Sequence, residues 1–448
     1  MPDLFLSHIK LVLGLEWGAG ELAKPLAERH PIMQWCEAVG ALWKKTTAGT
    51  KDIVSAPNTG AVQMYLGLAY NLFLLRHDAK LVGDLVHKLR TREHYNGALY
   101  EAFIAACFIR AGFKIELEDE RDSSITHHEF TAIHPSGRQY SVECRSRQPG
   151  ATEPKVVSKL KDALKKKTTH KRIVCIDVNI ANKAGESPER WMQQVFDDVK
   201  ASEGMYVSGK PAPSAYVFVT NHPYRYDLEA TDTLCAVVPI GFNISDFGHG
   251  AAFSSLASQF HARERHSDAE DSIKAIIDYK IPTTFDGSVP EFAFGNVKRK
   301  WVIGETYELS EMQEGMTGVL LHGLVGEADG TAWLIFRLSD GRQIITVDKL
   351  TDEALAAYRG DPESFFGSYT EVTGPLTDPL SHFAWFHKTM KGASRERMLE
   401  FFAKSADLES LKQLSDSDLF DAFCERHAIA MLMKSGKWPP TPSGPRRP

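Results

Sequence analysis

The feature that most constrains the fold is a run of changes in hydrophobic period between residues 94 and 245. "HYNGALYEAFIAACFIRAGF" carries apolar residues at helical spacing and stops at Ala111-Gly112, a helix C-terminal signal. Three short strand-like runs follow: "KIELED", "HEFTAIH" and "QYSVECRSR". "HPSG" at His134–Gly137 supplies turn chemistry between the last two, so they should form an antiparallel hairpin. Next come a lysine-rich helix, "EPKVVSKLKDALKKKTTH", and a β-branched strand, "RIVCIDVNI". "SPERWMQQVFDDVKAS" reads as a helix with Ser187 as N-cap and Pro188 at its first position. "SAYVFVTN" and "LCAVVPIGF" read as two further strands. The order α-β-β-β-α-β-α-β-β predicts an α/β core, a mixed sheet flanked by helices.

Around this core the chain divides by composition. Residues 1–93 are helical in pattern, and 246–297 form a Gly/Ser/His-containing connector with one helix, "SDAEDSIKAIIDYK". Four alternating runs within 298–350 predict a small β-barrel or meander. Residues 351–436 are again helical, and 437–448, ending in "PPTPSGPRRP", read as a disordered tail. With 448 residues, 43% hydrophobic and 25% charged, the chain is an ordinary multidomain globular protein. Six singly spaced cysteines with no C-x-x-C pair suit reduced thiols and a cytoplasmic setting. The apolar N-terminus is interrupted by His8, Lys10 and Glu16, and no run reaches the roughly 18 apolar residues of a membrane span. No membrane partner is expected.

Three carboxylates stand out. In "YSVECRSR" the side chains of Ser141, Glu143, Arg145 and Arg147 should face one way and Val142 and Cys144 the other. Glu129 opens the preceding strand, 14 positions earlier, so the hairpin could bring Glu129 and Glu143 to one end of one face. Glu101 sits among Gly97, Ala105, Phe108 and Gly112 at helical spacing, which predicts that it faces the sheet. Carboxylates converging without thiolates make an oxygen-rich site for Mg²⁺ or Mn²⁺.

The helix glutamate, the acidic residue on one strand, the E-x-R on the next and the following helix together resemble the PD-(D/E)XK nuclease superfamily. The resemblance spans roughly residues 94–245, about a third of the chain, on "YEAFIAACFIRAGF", "HHEF" and "VECR". It implies a restriction-endonuclease-like core, catalytic residues Glu101, Glu129, Glu143 and Arg145, and a divalent ion on Glu129 and Glu143 with Glu101 assisting. It also implies nucleic acid as partner, DNA ahead of RNA, and metal-assisted phosphodiester hydrolysis. Arg145 departs from the family, which has lysine there; arginine stays protonated and cannot act as a base. The alternative is therefore a lapsed nuclease that binds nucleic acid, or a protein through its helical regions.

A second signal follows the motif. Between Arg145 and Arg172 lie ten basic residues against Glu153 and Asp162, a local charge of +8 in a chain of net −6. Arg147, Lys155, Lys159, Lys165 and Lys166 are the candidate phosphate-backbone contacts, and a solvated helix face is the plain alternative. His127, His128 and His134 do not form H-E-x-x-H and read as surface or supporting histidines. "GAGELA" at Gly18–Ala23 fits G-x-G-x-x-A without a preceding strand and reads as chance. No P-loop and no G-x-S-x-G is present.

Overall fold

The computed structural model describes residues 2–49, 56–116, 129–147, 155–181, 188–231, 235–248, 251–282, 301–309, 316–360, 365–366, 379–390 and 393–434. His127, His128, Ser187 and the tail 437–448 lie outside them. The chain forms two compact units, one of Asp3–Ile281 with the C-terminal helices, the other within Pro282–Thr377.

The first unit begins with helices α1 (Pro2–Leu13), α2 (Leu15–Leu22), α3 (Pro31–Thr47), α4 (Gly60–Leu75) and α5 (Ala79–Arg90). Local chemistry sets their starts. His30 caps α3 ahead of Pro31, and the side chains of Thr59 and Asp78 accept backbone N–H bonds at α4 and α5. Gly18 and Gly20 lie inside α2, directly after another helix, so "GAGELA" is no phosphate-binding turn.

Helix α6 (Tyr95–Arg110) is buried along nearly its whole length. It ends as its sequence predicts. Gly112 adopts φ +85°, and the N–H of Phe113 bonds back to the Phe108 carbonyl at 3.0 Å. The sheet comprises β1 (Lys114–Glu116), β2 (Phe130–Ile133), β3 (Gln139–Ser146), β4 (Lys171–Asp177), β7 (Ala215–Asn221) and β8 (Ala236–Phe242), in the order β1-β2-β3-β4-β7-β8. A two-residue pair, β5 (Tyr206–Val207) and β6 (Lys210–Pro211), stands apart. β3, β4 and β7 run parallel, and the remaining pairings are antiparallel, so the sheet is mixed. The predicted hairpin turn is present, with Gly137 at φ +83° and its N–H bonded to the His134 carbonyl.

Helices α7 (Val156–Leu164) and α8 (Pro188–Ala201) cover one sheet face, where Val156, Leu160, Val195 and Val199 join Val174, Ile176, Val217 and Val219 in one apolar cluster. α6 covers the other, with Phe108 edge-on to Phe130 at 5.8 Å.

Among the described residues the connector holds α9 (Leu256–Arg265) ahead of the expected helix, α10 (Ser267–Ile277), both part of the first unit. α9 starts at a reciprocal Ser255/Ser258 cap. Its Leu256 and Phe260 pack into a cluster with Phe383, Phe402, Leu419 and Phe423 from the C-terminal helices. Tertiary burial, invisible in local composition, makes this segment structural.

In the second unit β9 (Thr306–Glu308), β10 (Thr317–Gly326), β11 (Thr331–Leu338) and β12 (Gln343–Lys349) form an antiparallel meander in the order β12-β11-β10-β9. Helix Asp352–Gly360 and the buried Phe365 and Phe366 belong to this unit rather than to a C-terminal helical region. No helix among the described residues is long and apolar enough to cross a membrane.

Candidate functional site

Among the described residues, two polar centres are built on buried carboxylates carried by the strands of the six-stranded sheet. The first is on the hairpin. Register pairs Phe130 with Val142 and Thr131 with Ser141, and the Glu129 N–H bonds to the Val142 carbonyl at 3.1 Å. Glu129 stands one residue before β2, and Glu143 on β3 points to the face of Ser141. Arg145 contacts both: Nη2 meets Glu143 Oε1, and Nη1 lies 3.9 Å from Glu129 Oε1. Lys166, just past α7, places Nζ 2.8 Å from Glu143 Oε2.

Glu101 is elsewhere. Phe130 shares its face with Val142 and packs on Phe108 of α6, so Val142 and Cys144 face α6 and Glu143 faces α7. Glu101 is carried by α6, 7% exposed, with Lys88 Nζ of α5 at 3.5 Å from Oε2. Strand alternation thus divides the three carboxylates between opposite faces. They form no group whose ligand atoms all lie within 4.8 Å of one another.

Glu143 is 4% exposed and its carboxyl is pushed up to about 7. Burial is the main cause and the Glu129 charge adds to it, while Arg145 and Lys166 oppose both. Both its oxygens lie against cations, yet neither receives an aligned hydrogen bond. A small cavity of about 10 Å³, room for about one water, is lined by Ser141, Glu143, Lys166, Thr168 and Arg172.

These residues do not fit a divalent ion as arranged. The orphaned oxygens of Glu143 are of the right chemistry, but Arg145 and Lys166 take the positions beside them, and the helix glutamate is across the sheet.

The remaining sequence candidates are partly drawn inward. Lys159 Nζ donates to the Ser146 carbonyl at 3.1 Å, and Arg147 Nη1 to the carbonyls of Val178 and Asn179 at 3.3 and 3.5 Å. Lys165 pairs with Asp162 at 2.6 Å, with both side chains at least half exposed. Lys155, Lys161, Lys165, Lys167 and Lys171 are exposed along α7 and its exit. His134 bonds with Ser136 and lies 3.3 Å from Asp268, a supporting role.

The second centre sits at the carboxyl ends of the parallel strands β4 and β7, where open α/β sheets tend to bind ligands. Asp177, fully buried at the end of β4, has Oδ1 3.2 Å from His222 Nδ1 and accepts from Arg225 Nη2 at Oδ2, also 3.2 Å. His222 Nε2 lies 3.3 Å from Cys235 Sγ. Arg225 also donates to Asn96 Oδ1 at 3.0 Å, and Tyr226 donates to Asn179. Burial pushes the Asp177 carboxyl up, but His222 and Arg225 outweigh it and hold it below the usual carboxylate range. For His222 burial opposes the charged ring, yet Cys235 and Asp177 prevail and raise it to about 10.

Thiol, imidazole and carboxylate stand in line here, the order in which a cysteine nucleophile, its base and the group orienting that base are arranged. Sequence reasoning missed this centre, because Asp177, His222 and Cys235 are far apart and match no motif. The available signal was positional: Asp177 and His222 are polar residues at or just past the ends of apolar strands.

With fold and sites in view, the chain finds no counterpart: no protein-family model, no curated protein and no solved structure matches it.

Proposed function

We propose that the 94–245 region is a restriction-endonuclease-like core that binds nucleic acid without cutting it at the hairpin, the lapsed form of the nuclease reading. The order of one helix, three strands, helix and strand, with β3 and β4 parallel, supports the fold half of that reading. The observation that carries the functional half is the clamp on Glu143. A buried carboxylate held by Arg145 and Lys166, with Glu101 across the sheet, is a closed charge cluster rather than an open ligand set.

The binding surface is the exposed lysine row. α7 buries Val156, Leu160, Ala163 and Leu164 and turns Lys161 and Lys165 to solvent, with Lys155, Lys167 and Lys171 beside them. Flexible exposed ammonium groups suit a phosphate backbone, which is read with little regard to base sequence.

A salt titration of duplex DNA binding, with Mg²⁺ cleavage assayed in parallel, tests the proposal. Binding should weaken steeply with salt, and each exposed lysine changed to alanine should lower the log–log slope by about 1. DNA left intact by the native protein completes the expected result. Salt-independent binding, or none at low salt, would sink the nucleic-acid half. Metal-dependent cutting that Glu143→Ala abolishes would instead establish hydrolysis at the hairpin.

A further inference from the structure

Away from the sheet, His261 of α9, His387 of helix Pro379–Thr389 and Asp421 of helix Asp416–Lys434 come together. One ligand-capable atom from each lies within 4.8 Å of the other two, and no other such group occurs among the described residues. His261 Nε2 is 2.7 Å from Asp421 Oδ2, and His387 Nε2 is 3.6 Å from Asp421 Oδ1. An ordinary histidine–aspartate pair accounts for the first contact only. It leaves Asp421 Oδ1 buried with no hydrogen-bond partner while a second imidazole nitrogen stands off from it.

The surroundings are those of a ligand set. Donors bound to one metal at about 2.0–2.2 Å lie roughly 3–3.5 Å apart, so the present spacings need only small side-chain shifts. The far nitrogen of His261, Nδ1, is 3.4 Å from Glu264 Oε2, the carboxylate–histidine relay that orients metal-bound imidazoles. Phe260, Phe383 and Phe420 stand within 4.6, 5.8 and 5.0 Å of the His387 ring, an apolar wall that disfavours a hydrated Mg²⁺. The side chains of His261 and His387 remain 36% and 26% exposed, which leaves a path for entry and a coordination position facing water.

We propose that His261, His387 and Asp421 bind a borderline divalent transition metal of the zinc class, which clamps two C-terminal helices to α9. Two imidazoles and a carboxylate, with no thiolate, select such an ion over Mg²⁺ or Ca²⁺. The clamp joins stretches of chain on either side of the inserted Pro282–Thr377 unit. The proposal is independent of the nucleic-acid reading, since none of its residues lies in 94–245.

The apolar cluster of Phe383, Phe402, Leu419 and Phe423 already packs these helices, so ligand variants should stay folded. The experiment is calorimetric titration of the chelator-treated full chain with zinc, followed by cobalt for its ligand-field absorption. One equivalent should bind with micromolar or tighter affinity, and thermal midpoint should rise with zinc concentration. His387→Ala and Asp421→Asn, each checked by circular dichroism, should weaken binding at least about tenfold, and Glu264→Gln by about tenfold. Glu143→Gln should leave zinc affinity unchanged. No saturable binding at about 100 µM zinc, or unchanged affinity in both ligand variants, would overturn the proposal.

Discussion

Glu143 and Asp177 are both buried carboxylates on adjacent strands of one sheet, each flanked by two cationic or cation-forming groups. Their chemistry is opposite. Asp177 is held in aligned hydrogen bonds by Arg225 and His222, and its charged form prevails. Glu143 has cations just as near but no aligned donor and a second carboxylate, Glu129, nearby, and its proton is retained up to about 7. Proximity of charge does not by itself satisfy a buried carboxylate; donor alignment and the sign of the next neighbour decide.

The harshest way to break the comparison is Asp177→Asn. Removing one partner leaves Arg225 and His222 uncompensated in the interior, and denaturant unfolding should show a loss of about 3–5 kcal/mol. A loss below about 1 kcal/mol would mean the centre is not the satisfied one.

Glu143→Gln sharpens the contrast. Because its folded-state proton affinity is raised, Glu143 adds stability below about pH 4.5 that is lost as pH rises toward 7. The native protein should therefore lose on the order of 2–3 kcal/mol from this group across that window. The glutamine variant should flatten that part of the stability–pH curve. A slope unchanged by the substitution would place the titrating group elsewhere.

His222 is raised in the folded state, so its contribution is complete below pH 6.5 and declines as pH climbs toward about 10. The same ring should govern Cys235: alkylation by iodoacetamide, followed by mass spectrometry, should slow at least about tenfold in His222→Gln. Equal rates in the two proteins would show that the 3.3 Å contact carries no proton transfer.

The smallest stability effect should come from the lysine row. Lys161→Ala with Lys165→Ala should move stability by no more than about 0.5 kcal/mol, because exposed pairs such as Lys165–Asp162 contribute little. The same double variant should visibly lower the salt dependence of DNA binding. A large stability loss with unaltered binding would make α7 a packing element only.

Periodicity and turn chemistry determined much of the architecture. The helix stop at Gly112, the His134–Gly137 hairpin and the α-β-β-β-α-β-α-β-β order are local properties, so they were legible in single segments. The nearness of Glu129 and Glu143, which share Arg145, follows from the same hairpin.

What the sequence could not decide depends on which sheet face a helix covers. Alternation placed Glu143 and Val142 on opposite faces, but only packing assigned Val142 to α6 and so separated Glu101 from the hairpin. Lys166 reached Glu143 from beyond α7, and Asp177, His222 and Cys235 met through β4, β7 and the approach to β8. His261, His387 and Asp421 were joined across an inserted unit. Local patterns depend on neighbours a few residues away, whereas charge clusters depend on distances between segments that only the assembled core sets.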